Sequence, residues 1–216
     1  GLAVVHTCTG SDRPLDAWYQ SVARNTRSHG KPAFCNESGR EKRHRNDDPI
    51  HRRKQAWVWC LSGAFWTWHS WDGCEGIHDL DYRAPGEEFT RFLVEFCRGL
   101  PFWRMAPNFT AVRCEPPGLV TACLADPDRN TVAAYLCTPD TGGQVTGATV
   151  LFSLPAGRYR LEVRHPSSLG LLHQEEFDAE GIWRPVRRGL PPFTDDVLLS
   201  LCCVQGGRRV AMPGTG

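Results

Sequence analysis

No apolar run in this chain approaches the roughly 18 residues needed to cross a bilayer, so a membrane-spanning helix is excluded. Neither sign of charge is in excess: 25 Lys and Arg against 24 Asp and Glu leave a net charge of +1. A dedicated nucleic-acid binder carries a basic excess, and that class is set aside. There is no Cys-x-x-Cys and no His-x-x-x-His, so the local ligand spacing of a structural zinc site is missing. Internal repeats and low-complexity tracts are also missing. The mixture of 41% hydrophobic and 23% charged residues excludes a disordered chain. The opening Gly1-Leu2-Ala3-Val4-Val5 has neither the charged start nor the long apolar run of a signal peptide. It reads as a strand entered midway, and the expectation is that residues of a longer protein precede it.

What is present departs from the ordinary in two respects. There are ten Cys and eight Trp among 216 residues. That length buries a core without disulfides or metals. The cysteines do not pair by spacing, and Cys8, Cys35 and Cys60 sit in apolar strand-like runs. They read as buried free thiols, because a free Cys packs as a small hydrophobe. Disulfides stay open at this point, since spacing supplies no connectivity.

The first half alternates strand and helix patterns. Leu2 to His6, Lys31 to Cys35 and Ala64 to Trp68 read as strands. Pro14 to Ser28 reads as a helix, with Leu15, Trp18, Tyr19, Val22 and Ala23 on one face and Gly30 as its stop. Arg52 to Gly63 is helical in pattern. Pro85-Gly86-Glu87-Glu88 opens a third helix, its acidic residues in the first turn where the helix dipole favours them. Phe89, Phe92, Leu93 and Phe96 form the stripe expected to be buried. Three β/α units predict parallel strands with helical crossovers. Three parallel strands alone leave apolar surface uncovered, so the unit is expected to belong to a larger α/β barrel or sheet.

From about residue 111 the pattern changes to short strands with turns, which predicts an antiparallel sandwich. Leu119 to Leu124 and Thr131 to Cys137 flank the turn-rich Ala125-Asp126-Pro127-Asp128-Arg129-Asn130, a hairpin signal. Val150 to Leu154 and Arg158 to Val163 flank Pro155-Ala156-Gly157 and read as a second hairpin. Tyr159, Leu161 and Val163 alternate with Arg160, Glu162 and Arg164, as in a strand with one wet face. Val197 to Val204 reads as the last strand.

Asn36-Glu37 follows directly on the second strand, so Glu37 sits at that strand's C-terminal end. In barrel enzymes that rim carries the catalytic groups. A carboxylate there can attack the anomeric carbon of a sugar or stabilise an oxocarbenium-like transition state. A solvated loop Glu is the plain alternative. Asn36-Glu37-Ser38 and Asn108-Phe109-Thr110 are also glycosylation triplets, which are common by chance. Trp66-Thr67-Trp68-His69-Ser70-Trp71-Asp72 ends the third strand. Indole faces stack on sugar rings, and His and Asp bond hydroxyls, a composition that suits a carbohydrate cleft. Some of these Trp fill the core instead, and Trp68 is the choice for the cleft. His6 ends the first strand and shares the rim. The basic stretch from Arg40 to Lys54 is interrupted by Glu41, Asp47 and Asp48 and contains no aromatic residue for base stacking. It reads as a solvated loop followed by a helix start.

Lys31-Pro32 through Asn36-Glu37, Arg52-Arg53 to Trp57, and Leu61-Ser62-Gly63-Ala64 to His69 resemble the last barrel strands of clan A glycoside hydrolases. The apiosidase-like and cellulase-like branch is the nearest. Phe102-Trp103-Arg104-Met105-Ala106-Pro107 resembles that branch's link out of the barrel. The tail resembles the small β-sandwich that follows such barrels, often labelled a collagen-binding domain. The matching residues there are Ala134-Tyr135-Leu136, Leu154-Pro155-Ala156-Gly157, Pro166 with Gly170, and Pro191-Pro192 leading to Asp195-Asp196-Val197-Leu198-Leu199. Asp196 stands where those sandwiches usually have a Trp.

The resemblance implies an α/β plus all-β fold. Residues 1–108 would hold the last three β/α units of a (β/α)8 barrel, and residues 109–216 an antiparallel β-sandwich. It implies a retaining O-glycosyl hydrolase acting on a polysaccharide or oligosaccharide, with Glu37 as nucleophile. Asn36, His6, Trp66, Trp68, His69 and Trp71 would line the sugar subsite. The acid/base Glu of the family ends the fourth strand, and nothing here matches it, because the chain resembles the family from the sixth strand onward. No metal or organic cofactor is implied. The expected partners are a carbohydrate and the missing N-terminal half of the barrel, with no nucleic acid and no membrane. The implied location is extracellular or periplasmic. The alternative function is a non-catalytic carbohydrate- or matrix-binding protein.

Overall fold

The computed structural model describes residues 1–6, 21–25, 28–37, 48–67 and 86–205. Strands β1 (Ala3–His6), β2 (Ala33–Glu37) and β3 (Ala64–Trp66) form a parallel sheet with β2 in the middle. Residues 21–25 are helical and lie between β1 and β2. Helix α1 (Pro49–Leu61) joins β2 to β3. Alternation sorts the strands into two faces. Ala33, Cys35 and Ala64 are buried, and Val5 and Trp66 are half-buried beside them. These small residues let the helices approach closely. On the other face Val4 and Phe65 remain 50% and 52% exposed. Parallel sheets are ordinarily covered on both sides, so this open face is the unusual one.

Asp48 caps α1: its Oδ1 accepts from the Ile50 N–H at 2.9 Å and the His51 N–H at 3.2 Å. Pro49 stands in the first turn, where no N–H is missed. Gly63 (φ 83°) follows the helix and turns the chain into β3. The helix is buried almost all round, between the parallel sheet and a second sheet. Helix α2 (Thr90–Arg98) follows a 3-10 turn at Glu87–Phe89. Leu93 and Phe96 are buried as expected, whereas Phe89 and Phe92 are half-buried beneath the guanidinium groups of Arg53 and Arg91.

The second half is antiparallel. It comprises β4 (Ala106–Pro107), β5 (Val112–Glu115), β6 (Val120–Ala125), β7 (Thr131–Cys137), β8 (Gln144–Val145), β9 (Thr149–Phe152) and β10 (Gly157–Arg164). It continues with β11 (Leu171–Ala179), β12 (Val186–Gly189), β13 (Phe193–Thr194) and β14 (Asp196–Gln205). A six-stranded sheet runs β11-β10-β14-β7-β6-β4, a three-stranded sheet runs β12-β9-β5, and β13 pairs with β8. The first expected hairpin is present as β6–β7, its turn held by the Thr131 N–H donating to Asp126 Oδ1 at 3.0 Å.

The second expected hairpin is not formed. β9 pairs with β5 and β12, while β10 pairs with β11 and β14. Pro155-Ala156-Gly157 therefore carries the chain from one sheet to the other. The alternation along β10 is as read, with Tyr159, Leu161 and Val163 fully buried. A short link of turn residues suits a change of sheet as well as a hairpin. β11 and β12 were not anticipated, because β11 is mostly exposed and polar.

Among the described residues two apolar clusters result, and the six-stranded sheet separates them. Cys123, Val132, Ala134, Leu136, Leu199 and Leu201 meet Val112, Val150 and Phe152 of the three-stranded sheet. From the opposite face Ala122, Leu124, Ala133, Tyr135, Cys137 and Leu198 meet Trp57, Leu93, Phe96 and Leu100 from the helical side. Burial on both faces explains why β7 reads as a continuous apolar run. No described helix is long and apolar enough to cross a membrane.

Candidate functional site

The C-terminal edge of the parallel sheet is built by an irregularity in β2. Ala3, Val4 and Val5 stand opposite Ala33, Phe34 and Cys35, but His6 stands opposite Glu37. Asn36 is the extra residue of a β-bulge, a device that re-aims a strand end and is common beside active sites. The Thr67 N–H donates to the Cys35 carbonyl at 3.0 Å and extends the sheet past Trp66. The register therefore brings the backbones of His6 and Glu37 side by side at the end of the two strands. Asn36 lies beside them, half-buried, and its buried Oδ1 has no hydrogen-bond partner among the described residues.

Trp66 stands opposite Cys35, one row below the bulge. It is half-buried and packs on the cluster that faces the helices. Trp68, His69 and Trp71 lie outside the described residues. Among the described residues no group of three His, Cys, Asp or Glu is arranged to hold a metal ion.

A buried polar seam joins α1 to the six-stranded sheet, and sequence reasoning missed it. Arg53, at the expected helix start, donates through Nε and Nη2 to both carboxylate oxygens of Asp196 at 2.9 and 2.7 Å. The Tyr135 hydroxyl donates to the same carboxylate at 2.6 Å. Lys54 Nζ reaches Asp195 Oδ1 at 3.0 Å, Thr138 Oγ1 at 2.9 Å and the Asp140 carbonyl at 2.8 Å. Arg52, Arg53 and Lys54, in the helix start at the end of that basic stretch, are all buried, whereas residues 40–47 lie outside the described residues. An Arg or Lys enters an interior only where fixed acceptors replace water, and here Thr138, Asp140, Asp195 and Asp196 supply them. Burial alone would lower the Arg53 pKa, but the Asp196 charge and hydrogen bonds raise it. Burial, reinforced by the neighbouring carboxylate of Asp196, holds the Tyr135 hydroxyl well above its usual range.

The eight described cysteines form no disulfide among the described residues. Cys35 is buried in β2 as expected, whereas Cys60 belongs to α1 and not to a strand. Cys8 and Cys74 lie outside the described residues. Burial pushes Cys97 up to about 11 and Cys123 up to about 12, and it raises Cys60 and Cys137 further. A nucleophilic cysteine needs the opposite shift, so these four are packing residues.

No protein-family model matches this sequence, and no curated protein matches it. Among solved structures, one described as a glycoside hydrolase superposes with a TM-score of 0.66 at 13% identity, covering 92% of this chain and 47% of that one. A glycoside hydrolase family 5 protein from Bacteroides vulgatus superposes with the same TM-score of 0.66 at 13% identity, covering 96% of this chain and 48% of that one. The chain thus spans about half the length of the solved structures it matches. At such identity the likeness concerns the fold alone, which in this chain is an α/β part followed by antiparallel sheets.

Proposed function

We propose that this chain supplies the C-terminal part of a retaining O-glycosyl hydrolase, with Glu37 as the nucleophile. The observation that carries the reading is the position of Glu37. It closes the central strand of a parallel sheet at the C-terminal end, opposite His6 and past a bulge. That is the rim where barrel enzymes keep their reacting groups. The exposed apolar face at Val4 and Phe65 agrees with a barrel whose other strands belong to a preceding half. Residues 1–108 would form the barrel portion and residues 109–216 a β-sandwich, although β4 already pairs with β6. The likeness in fold to glycoside hydrolases supports a carbohydrate as substrate, and an extracellular or periplasmic location follows from a polysaccharide.

In this mechanism a Glu37 carboxylate oxygen attacks the anomeric carbon. The bond to the leaving oxygen breaks as a second carboxylic acid gives that oxygen its proton. Water, deprotonated by the same second group, then cleaves the glycosyl ester and frees Glu37. The two carboxyls of a retaining pair stand about 5–5.5 Å apart, and the partner would come from the preceding half. His6, Asn36, Trp66, Trp68, His69 and Trp71 would line the sugar subsite.

The test uses a 2-deoxy-2-fluoroglycosyl fluoride, which slows the second step and traps the ester. The label is expected on the peptide that contains Glu37 and on none from Glu37→Gln. Turnover of an aryl glycoside by the full-length protein, which supplies the second carboxyl, should vanish in Glu37→Gln while sugar binding persists. Turnover that survives this substitution removes Glu37 from the mechanism. Sugar binding without any turnover by the unaltered full-length protein would favour the non-catalytic carbohydrate- or matrix-binding function.

A further inference from the structure

We infer that the six-stranded sheet positions the Glu37 rim through helix α1, with Asp195 and Asp196 as the positioning residues. The catalytic consequence rests on the proposed function; the mechanical one does not. Helix α1 is the covalent link between β2 and β3, two of the three strands that end at the rim, and only Ser62 and Gly63 separate it from β3. A slide or rotation of α1 therefore moves β3 against β2.

The contacts that hold α1 differ in kind. Trp57 stacks on Tyr135 with ring centroids 5.7 Å apart, and such apolar contacts tolerate small displacements. The charged contacts do not. Two successive residues of the helix, Arg53 and Lys54, engage Asp196, the first residue of β14, and Asp195 just before it. The Arg53–Asp196 pair is bidentate, which fixes direction as well as distance. A buried ion pair gains little stability over apolar residues of the same volume, and its best-attested use is to specify one arrangement.

Asp195 shows that the surroundings enforce this arrangement. Its φ of 69° is left-handed, an unfavourable region for a non-glycine residue. It is held there by its N–H on the Gly143 carbonyl at 2.7 Å and by its carbonyl, which accepts from the Thr138 N–H at 2.8 Å. Its carboxylate accepts from Lys54 and from the Gly142 N–H at 2.7 Å. Backbone strain persists where neighbours over-determine it, and such places cluster at elements that serve a site. On this account the second half of the chain is a buttress for the rim rather than a separate binding module.

The test replaces Arg53→Met together with Asp196→Leu in the full chain and reads amide hydrogen exchange without any substrate. The variant is expected to melt cooperatively. Exchange in residues 33–37 and 64–67 should rise about tenfold or more, while exchange in residues 157–164 stays unchanged. In the enzyme assay kcat should fall by about 100-fold, the effect of misplacing a reacting group by about 1 Å, with KM nearly unchanged. Absence of turnover in the unaltered full-length protein sinks the proposed function alone, because exchange still decides the positioning. Exchange that is unchanged in both rim segments, or raised equally everywhere, overturns the inference. If the double variant does not fold, Asp195→Asn is read in the same way. Failure of both to fold makes the seam a folding element and also overturns it.

Discussion

The indole of Trp57 lies parallel to the phenol ring of Tyr135, with centroids 5.7 Å apart and planes 12° apart, while the Tyr135 hydroxyl donates to Asp196 at 2.6 Å. One tyrosine thus serves the apolar and the charged parts of the same contact between α1 and β7. Phe at this position would keep the stack and remove the donor. Asp196 is fully buried, so its carboxylate would lose one of three hydrogen bonds with no water to replace it. Tyr135→Phe is expected to cost about 1.5–3 kcal/mol, the range for hydrogen bonds to charged groups. Trp57→Ala should cost about 3–5 kcal/mol through the cavity it opens. Urea unfolding of the two variants checks both the values and their order. A smaller loss for Trp57→Ala than for Tyr135→Phe would mean that the ring contact contributes little.

Alkaline pH should destabilise the fold earlier than its charge balance suggests. Burial raises the thiols of Cys97 to about 11 and Cys123 to about 12, against 9.0 for a free thiol, and it raises Tyr135 above its usual 10.0. The charged form of each group is favoured in the unfolded chain. The native chain therefore holds more protons above the unfolded pKa, and stability falls as pH rises. The contribution of each group is whole below its unfolded pKa. It is lost progressively above pH 9 for the thiols and above pH 10 for the tyrosine. Each fully titrating group contributes a slope of about 1.4 kcal/mol per pH unit. Urea midpoints at pH 8, 9, 10 and 11 should fall steadily, and Cys123→Ala should flatten part of that slope. A midpoint constant up to pH 11 would show that these groups ionise freely in the folded state.

The β/α alternation was legible because period and breakers agree: apolar runs at 2–6, 31–35 and 64–68 each stand next to a helical stripe. The backbone neighbourhood of His6 and Glu37 follows from the strand ends, since both residues close strands that pair directly. The bulge at Asn36 was not legible, because one extra residue in a strand leaves no mark in composition. The change of sheet at Pro155 to Gly157 was hidden for a related reason: turn residues say that the chain bends, not where it goes. The seam was the least legible feature. Arg53 and Asp196 are 143 positions apart, and each doublet alone looks like ordinary solvated charge. Only the fold shows that one doublet answers the other. The rim segment that begins at Trp68 has no counterpart among the described residues, so its aromatic and His residues keep the weight their sequence gives them.

Gly86 offers a sharp local test of how the two helices meet. It precedes the 3-10 turn before α2 with φ 83°, and a Cβ there would lie 2.9 Å from both the Cβ and the carbonyl oxygen of Pro49 at the start of α1. Two costs therefore add in Gly86→Ala. The left-handed backbone costs a residue with a Cβ roughly 1–2 kcal/mol. The clash adds about 1–3 kcal/mol, because the atoms it meets belong to backbone and to a rigid ring. Gly30 supplies the control, since its φ is 66° and nothing lies within 4 Å of its would-be Cβ. Gly30→Ala is expected to show the backbone cost alone. The measured difference between the two variants then reports the approach of α2's leading turn to Pro49. Equal losses would mean that the first turns of α1 and α2 yield to one added methyl group, and that α1 is held mainly at its Arg53 and Lys54 end.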